Sequence, residues 1–97
     1  MPNAARLKDE MQNHCGIIVQ ASNNVFINGL GAARVDDFAF ENPCQCSTAK
    51  NAGTCDETIV SGSSSVFING KPAARVGDMG EYGGIISSGS SNVFIGG

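Results

Sequence analysis

Four cysteines and one histidine are the side chains of this 97-residue chain best suited to hold a soft metal or form a crosslink. They are His14, Cys15, Cys44, Cys46 and Cys55. A structural zinc site takes four Cys or His ligands in a tetrahedron, so the set offers one more donor than a site needs. His14 and Cys15 are neighbours, and adjacent side chains diverge in an extended loop, so one ion does not take both. An even number of cysteines also allows two disulfides, and free thiols are a third possibility. The opening segment, Met1-Pro2-Asn3-Ala4-Ala5-Arg6, is not followed by the apolar run of a secretory signal, which weighs against disulfides. His14 beside Cys15 is not a catalytic pair, because a nucleophile and its base normally come from separate elements that face each other. The other chemistry-bearing residues come in matched pairs: Arg6 with Asp9, Arg34 with Asp37, and Arg75 with Asp78. Three identical pairs cannot each be a catalytic centre. They read as a recurring ion pair or turn hydrogen bond that brings little stability where exposed. The Ser/Gly runs at 61–65 and 87–91 lack the Lys that follows a phosphate loop, so they read as turns. No enzymatic activity is expected.

The pairs belong to a larger repeat. Val-Phe-Ile occurs at 25–27, 66–68 and 93–95, and Ala-Ala-Arg at 4–6, 32–34 and 73–75. Val25 to Ala32 and Val66 to Ala73 are the same distance apart, so Val-Phe-Ile-Asn-Gly-x-x-Ala-Ala-Arg is a fixed cassette. The chain divides into three units, about 2–29, 30–70 and 71–97, within one small domain. Gly16-Ile17-Ile18 and Gly84-Ile85-Ile86 align, each Ile pair starting eight residues before its Val, and Thr58-Ile59-Val60 falls in the same register, with Thr58 eight before Val66. The second unit carries an insertion at about 38–57, which holds Cys44, Cys46 and Cys55. His14 and Cys15 sit at the equivalent place in the first unit, whereas the third has Met79-Gly80-Glu81-Tyr82-Gly83 there. Asn28-Gly29 and Asn69-Gly70, between apolar runs, predict type I′ hairpin turns that pair each Val-Phe-Ile with the residues after it. The Val-Phe-Ile runs read as strand core. Some of their side chains also suit a docking base, since a docked base is a core cut in half. Pro72 fits only a strand start or edge. With 13 Gly, no helical periodicity and short β-branched runs, the class is all-β. Six Lys+Arg against nine Asp+Glu, net −3, exclude a basic nucleic-acid surface. No apolar run is long enough to span a membrane.

Val66-Phe67-Ile68-Asn69-Gly70 followed by Lys71-Pro72-Ala73-Ala74-Arg75-Val76-Gly77-Asp78 resembles the signature of the PAAR-repeat family. Degenerate copies at 2–9 and 30–37 extend the resemblance along the chain. It implies a small cone of three pseudo-threefold-related β-repeats, stapled by a metal at its tip. Such proteins sharpen the spikes of contractile injection machines, which include phage tails and type VI secretion systems. The resemblance implies a single copy capping a trimeric β-helical spike, no homo-oligomer, and transient contact with a target membrane. It places the chain at the tip of a phage tail baseplate or of a type VI secretion spike, assembled in the cytoplasm and delivered outward. Larger members carry toxin extensions; this chain runs from the first motif to the last, so no effector of its own is expected. An adaptor that recruits separate effectors to the spike is the alternative role. The family's ligand pattern, carried over by position, gives His14, Cys44, Cys46 and Cys55. Here Cys44 and Cys55 stand where the family has His, and Cys15 stands where it often has Gly. A Cys3His set suits a zinc ion, with iron the alternative.

Overall fold

The computed structural model describes residues 1–12, 16–40, 56–81 and 83–97. Among these, the regular structure is β only: β1 (Glu10–Gln12), β2 (Gly16–Ile18), β3 (Phe26–Ile27), β4 (Leu30–Gly31), β5 (Phe38–Phe40), β6 (Asp56–Thr58), β7 (Phe67–Ile68), β8 (Lys71–Pro72) and β9 (Ile85–Ile86). The strands form two kinds of hairpin, and each kind recurs around a central axis.

The first kind is the cassette. β3 pairs with β4, Phe26 opposite Gly31, and β7 pairs with β8, Phe67 opposite Pro72. Asn28 and Asn69 have φ of 55° and 54°, and Gly29 and Gly70 both have 79°. Positive φ at both turn residues is the type I′ geometry expected of Asn-Gly, and its twist matches the strands it joins. The third hairpin is assembled from the two ends of the chain. Phe94 bridges Asn3, and the Ile95 N–H donates to the Pro2 carbonyl at 2.9 Å. Asn3 thus stands where Gly31 and Pro72 stand in the other two.

The second kind builds a ring. β1 pairs with β2 and β5 with β6, while Met79 bridges Ile85. These hairpins also pair with one another, β2 with β5, β1 with β9, and Ile59 with Gly80. The sheet β6-β5-β2-β1-β9 therefore curls until the Met79–Gly80 segment joins its two edges, leaving no open edge around the ring among the described residues.

Between the two sets of hairpins lies a triangle of backbone hydrogen bonds. The Ala5 N–H donates to the Ala74 carbonyl at 3.1 Å, Ala74 to Ala33 at 3.0 Å, and Ala33 back to Ala5 at 3.0 Å. Three strands meeting at one axis leave no room beyond a methyl group, which is why both residues before each Arg are alanine. Ala4, Ala5, Ala32, Ala33, Ala73 and Ala74 are all fully buried. Successive side chains of an extended segment point to opposite sides, so the two alanines of each unit enter separate cores. Ala5, Ala33 and Ala74 pack with Ile18, Ile59, Ile86, Met11 and Ala39 inside the ring. Ala4, Ala32 and Ala73 pack with Ile27, Ile68 and Ile95 among the cassette hairpins. Burying one such isoleucine is worth about 1.5–3 kcal/mol, and the triplication supplies the core a domain this small otherwise lacks. The principal extents, 34 × 23 × 23 Å, have two equal short axes, as a threefold body requires.

Candidate functional site

The cassette hairpins form one end of the molecule, and alternation along their strands decides what that end shows. Ile27, Ile68 and Ile95 turn inward. Phe26, Phe67 and Phe94 turn outward and are 60%, 57% and 47% exposed, with Val25 and Val66 exposed beside them. The Val-Phe-Ile runs are therefore half core and half surface: only the isoleucine of each is buried. Large exposed aromatics recurring at equivalent sites are the kind of apolar surface that marks an interaction site.

Two devices fix this end, each used three times. The first is a serine placed three residues before each valine. Ser22, Ser63 and Ser90 are buried, and their Oγ atoms accept the backbone N–H of Val25, Val66 and Val93, each at 2.9 Å. That contact folds the chain into a tight turn just before the strand, as the Ser/Gly composition predicts. The second device is the arginine–aspartate pair. Arg34 Nε and Nη2 donate to the two oxygens of Asp37 at 2.8 Å each, and the Arg34 backbone N–H donates to Asp37 Oδ2 at 2.9 Å. Arg6 with Asp9 and Arg75 with Asp78 repeat the same three bonds between 2.7 and 3.1 Å. The hydrogen bond to its aspartate holds each guanidinium above its ordinary pKa; burial opposes this and the aspartate's charge reinforces it. The aspartates are almost fully buried, so these are bidentate, charge-assisted contacts rather than solvated surface pairs.

Each arginine has one nitrogen left, and it reaches the tip of a cassette turn. Arg6 Nη1 donates to Asn28 Oδ1 at 3.2 Å and Arg34 Nη1 to Asn69 Oδ1 at 2.9 Å. At the third position the sequence has Gly96 in place of asparagine, and Arg75 Nη1 takes its carbonyl at 3.4 Å. The tips in turn touch the serine turns of other units. Ser90 Oγ donates to Asn28 Oδ1 at 2.5 Å, Asn69 Nδ2 to Asn24 Oδ1 at 2.9 Å, and Ser63 Oγ to the Gly96 carbonyl at 2.6 Å. The result is a closed circuit that sets three apolar side chains at fixed threefold positions. Sequence reasoning found the Arg–Asp pairs, the Asn-Gly turns and the Ser/Gly turns that hold Ser63 and Ser90, but missed Ser22 and the bond that all three serines make. Their signal is present: each stands at the same offset before Val-Phe-Ile.

The opposite end of the ring is where its hairpins turn. The strand ends Gln12 and Gly16, Phe40 and Asp56, and Gly80 and Gly84 lie there together, because Ile17 pairs with Phe40, Gln12 with Ile85, and Gly80 with Ile59. The expected metal ligands His14, Cys44, Cys46 and Cys55, and the spare thiol Cys15, lie outside the described residues. What the described strands provide is the delivery: both segments that carry these residues leave from and return to this one end. Sequence reasoning also missed Glu57, a buried carboxylate at this end that breaks the repeat.

No curated protein matches the chain. A family model for the PAAR motif matches residues 8–86. That span takes in two complete cassettes, all three aspartates and every strand of the ring, and the chain belongs to the PAAR-motif family.

Proposed function

We propose that this protein caps a trimeric β-helical spike, one copy per trimer, and gives the spike of a contractile injection machine its point. Membership of the PAAR-motif family supports a structural spike-tip role in a contractile tail or type VI secretion machine. The capping reading rests on one observation: a single chain presents Phe26, Phe67 and Phe94 at three equivalent positions. A monomer with this symmetry faces each subunit of a true trimer with the same surface. It covers strand ends that would otherwise stay open. At the other end, His14, Cys44, Cys46 and Cys55 would hold a zinc ion, which tethers loops where too few atoms remain for a core. The donor set is soft and the strands lead both loops to one place, which favours this assignment. A rigid point driven through a target envelope needs stiffness there rather than catalysis.

The adaptor role draws on a different observation. The flank formed by β2 and β5 exposes Ile17, Val19, Phe38 and Phe40, each about two-fifths. The equivalent positions on the next flank are Thr58, Val60, Met79 and Glu81, and on the last Ile85, Ser87, Glu10 and Gln12. Only the first flank is apolar at all four positions, the next being so at two, Val60 and Met79; that difference suits a protein cargo carried once per tip.

Mixing the protein with a trimeric β-helical spike and measuring mass by light scattering tests the capping. The expected complex has one copy per trimer and is nearly insensitive to salt, because the surface is apolar. Replacing Phe26, Phe67 and Phe94 together by Ser abolishes it while leaving the monomer folded. A complex with three copies per trimer, or one that survives the triple substitution, rules the proposal out.

A further inference from the structure

The third unit brings neither Cys nor His to the end where the ring hairpins turn. Its hairpin is nevertheless tied there, by a side chain from the second unit. Glu57 lies in β6 and is only 2% exposed. Its carboxylate reaches across to the third unit, where the Gly84 N–H donates to Oε2 at 2.8 Å and to Oε1 at 3.1 Å. The space it fills exists because two residues there lack side chains. A Cβ on Gly80 would stand 2.2 Å from Glu57 Cδ, and one on Gly84 would stand 2.2 Å from Oε1. Neither glycine has a positive φ, so the backbone does not require glycine at either place. Room for the carboxylate does. The pseudo-symmetry makes the exchange visible. Met11 and Ala39 are the equivalents of Gly80, and both bury their own side chains in the ring core. Gly16 and Gly84 are the equivalents of Glu57. The third unit has thus given up its own core side chain and receives its neighbour's carboxylate. Two backbone bonds frame the contact, Glu81 N–H to the Thr58 carbonyl at 2.9 Å and Gly80 N–H to the Gly84 carbonyl at 2.8 Å.

We propose that Glu57 is the fastener of the third unit, a buried carboxylate staple that does without metal what ligands do for the other two. The contrast with the other two units rests on the metal reading above; the staple itself does not. A charge-assisted bond to backbone N–H is strong when desolvated. Removing its acceptor leaves a buried donor unsatisfied.

Two measurements on the full chain test this. The first is amide exchange at Gly84, with and without chelator, in the native protein and in Glu57→Gln, which keeps size and shape but exchanges the charged acceptor for a weaker, neutral amide. Gly84 should stay protected under chelation and lose about tenfold of its protection in Glu57→Gln, while Ala5, Ala33 and Ala74 are unchanged. The second is a double-mutant cycle of Gly80→Ala with Glu57→Ala, read by melting temperature. Gly80→Ala should lower the melting temperature in the native background and cost nothing once Glu57 is shortened. Equal shifts in both backgrounds overturn the proposal, as does unchanged Gly84 protection in Glu57→Gln. Loss of Gly84 protection on chelation also overturns it, since metal would then hold the third unit. A protein that binds no metal refutes the metal reading and leaves the Gly84 result to stand or fall alone.

Discussion

The hairpin end of this molecule says the same thing three times, and the turning end of the ring says three different things. At the hairpin end, serine, arginine, aspartate and an inward isoleucine recur in every unit, and a lost asparagine at the third position is replaced by the Gly96 carbonyl. In the stretches of sequence joining the ring strands, one unit has His14 and Cys15, one has a long cysteine-bearing segment, and the third has neither, its hairpin taking a neighbour's carboxylate instead. The difference shows where symmetry is enforced. Contacts that close a circuit, or that face a partner of matching symmetry, must be made at all three positions. Contacts that only need to tie three loops together can be made by any chemistry that satisfies its own atoms.

The largest effect should come from the axis that divides the two ends. Ala33→Leu adds three carbons where Ala5, Ala33 and Ala74 already fill the space. It should cost about 3 kcal/mol, a large fraction of the stability of a small domain. Urea unfolding measures it; a loss below about 1 kcal/mol would show slack at the axis and remove the reason for the alanines. Chelation should act more locally. It should reduce protection in β1, β2 and β5 and spare residues 66–74 and Gly84, because the cassette core contains no proposed ligand and Gly84 is held by Glu57. Metal content should fall in Cys44→Ser, Cys46→Ser and Cys55→Ser and hold in Cys15→Ser, and affinity should drop below about pH 6 as His14 and the thiolates take up protons. Loss of protection across the whole chain would erase the distinction between the ends. The smallest effect belongs to the circuit. Asn69→Gly removes the acceptor for Arg34 Nη1 and the donor to Asn24, both exposed contacts, and tolerates the turn's φ of 54°. It should cost about 1 kcal/mol, and the same urea curves would show it.

Much of this was legible in the sequence because it recurs. The all-β class, the type I′ turns and the Arg–Asp pairs follow from repeated residues at repeated offsets. What did not recur was harder to read. A three-residue run such as Val-Phe-Ile does not say which face it buries, and only the packing of Ile27, Ile68 and Ile95 against the axis alanines decides it. Glu57 interrupts the pattern once, so no period announces it. The Arg–Asp pairs read as weak from spacing alone. Their strength comes from the turns that bury Asp9, Asp37 and Asp78, a property of the assembled ring. The ligand assignment at His14, Cys44, Cys46 and Cys55 falls outside the described residues, and metal analysis is its direct test.

The alanine triangle also governs when the protein can exist. Ala5 takes a hydrogen bond from Ala33 but gives its own to Ala74, and Asn3 Nδ2 donates to the Ser90 carbonyl, 87 residues away in sequence. A nascent chain still inside the ribosome holds the first two corners of the triangle and lacks the third. Its N-terminal segment has no Ala74 or Ser90 to pair with until the third unit is made. Contacts between the chain's extremes are slow to form because the whole loop between them must be closed first. Closing the triangle therefore waits for Ala74, and closing the third hairpin for Phe94 and Ile95, so both depend on the third unit being made.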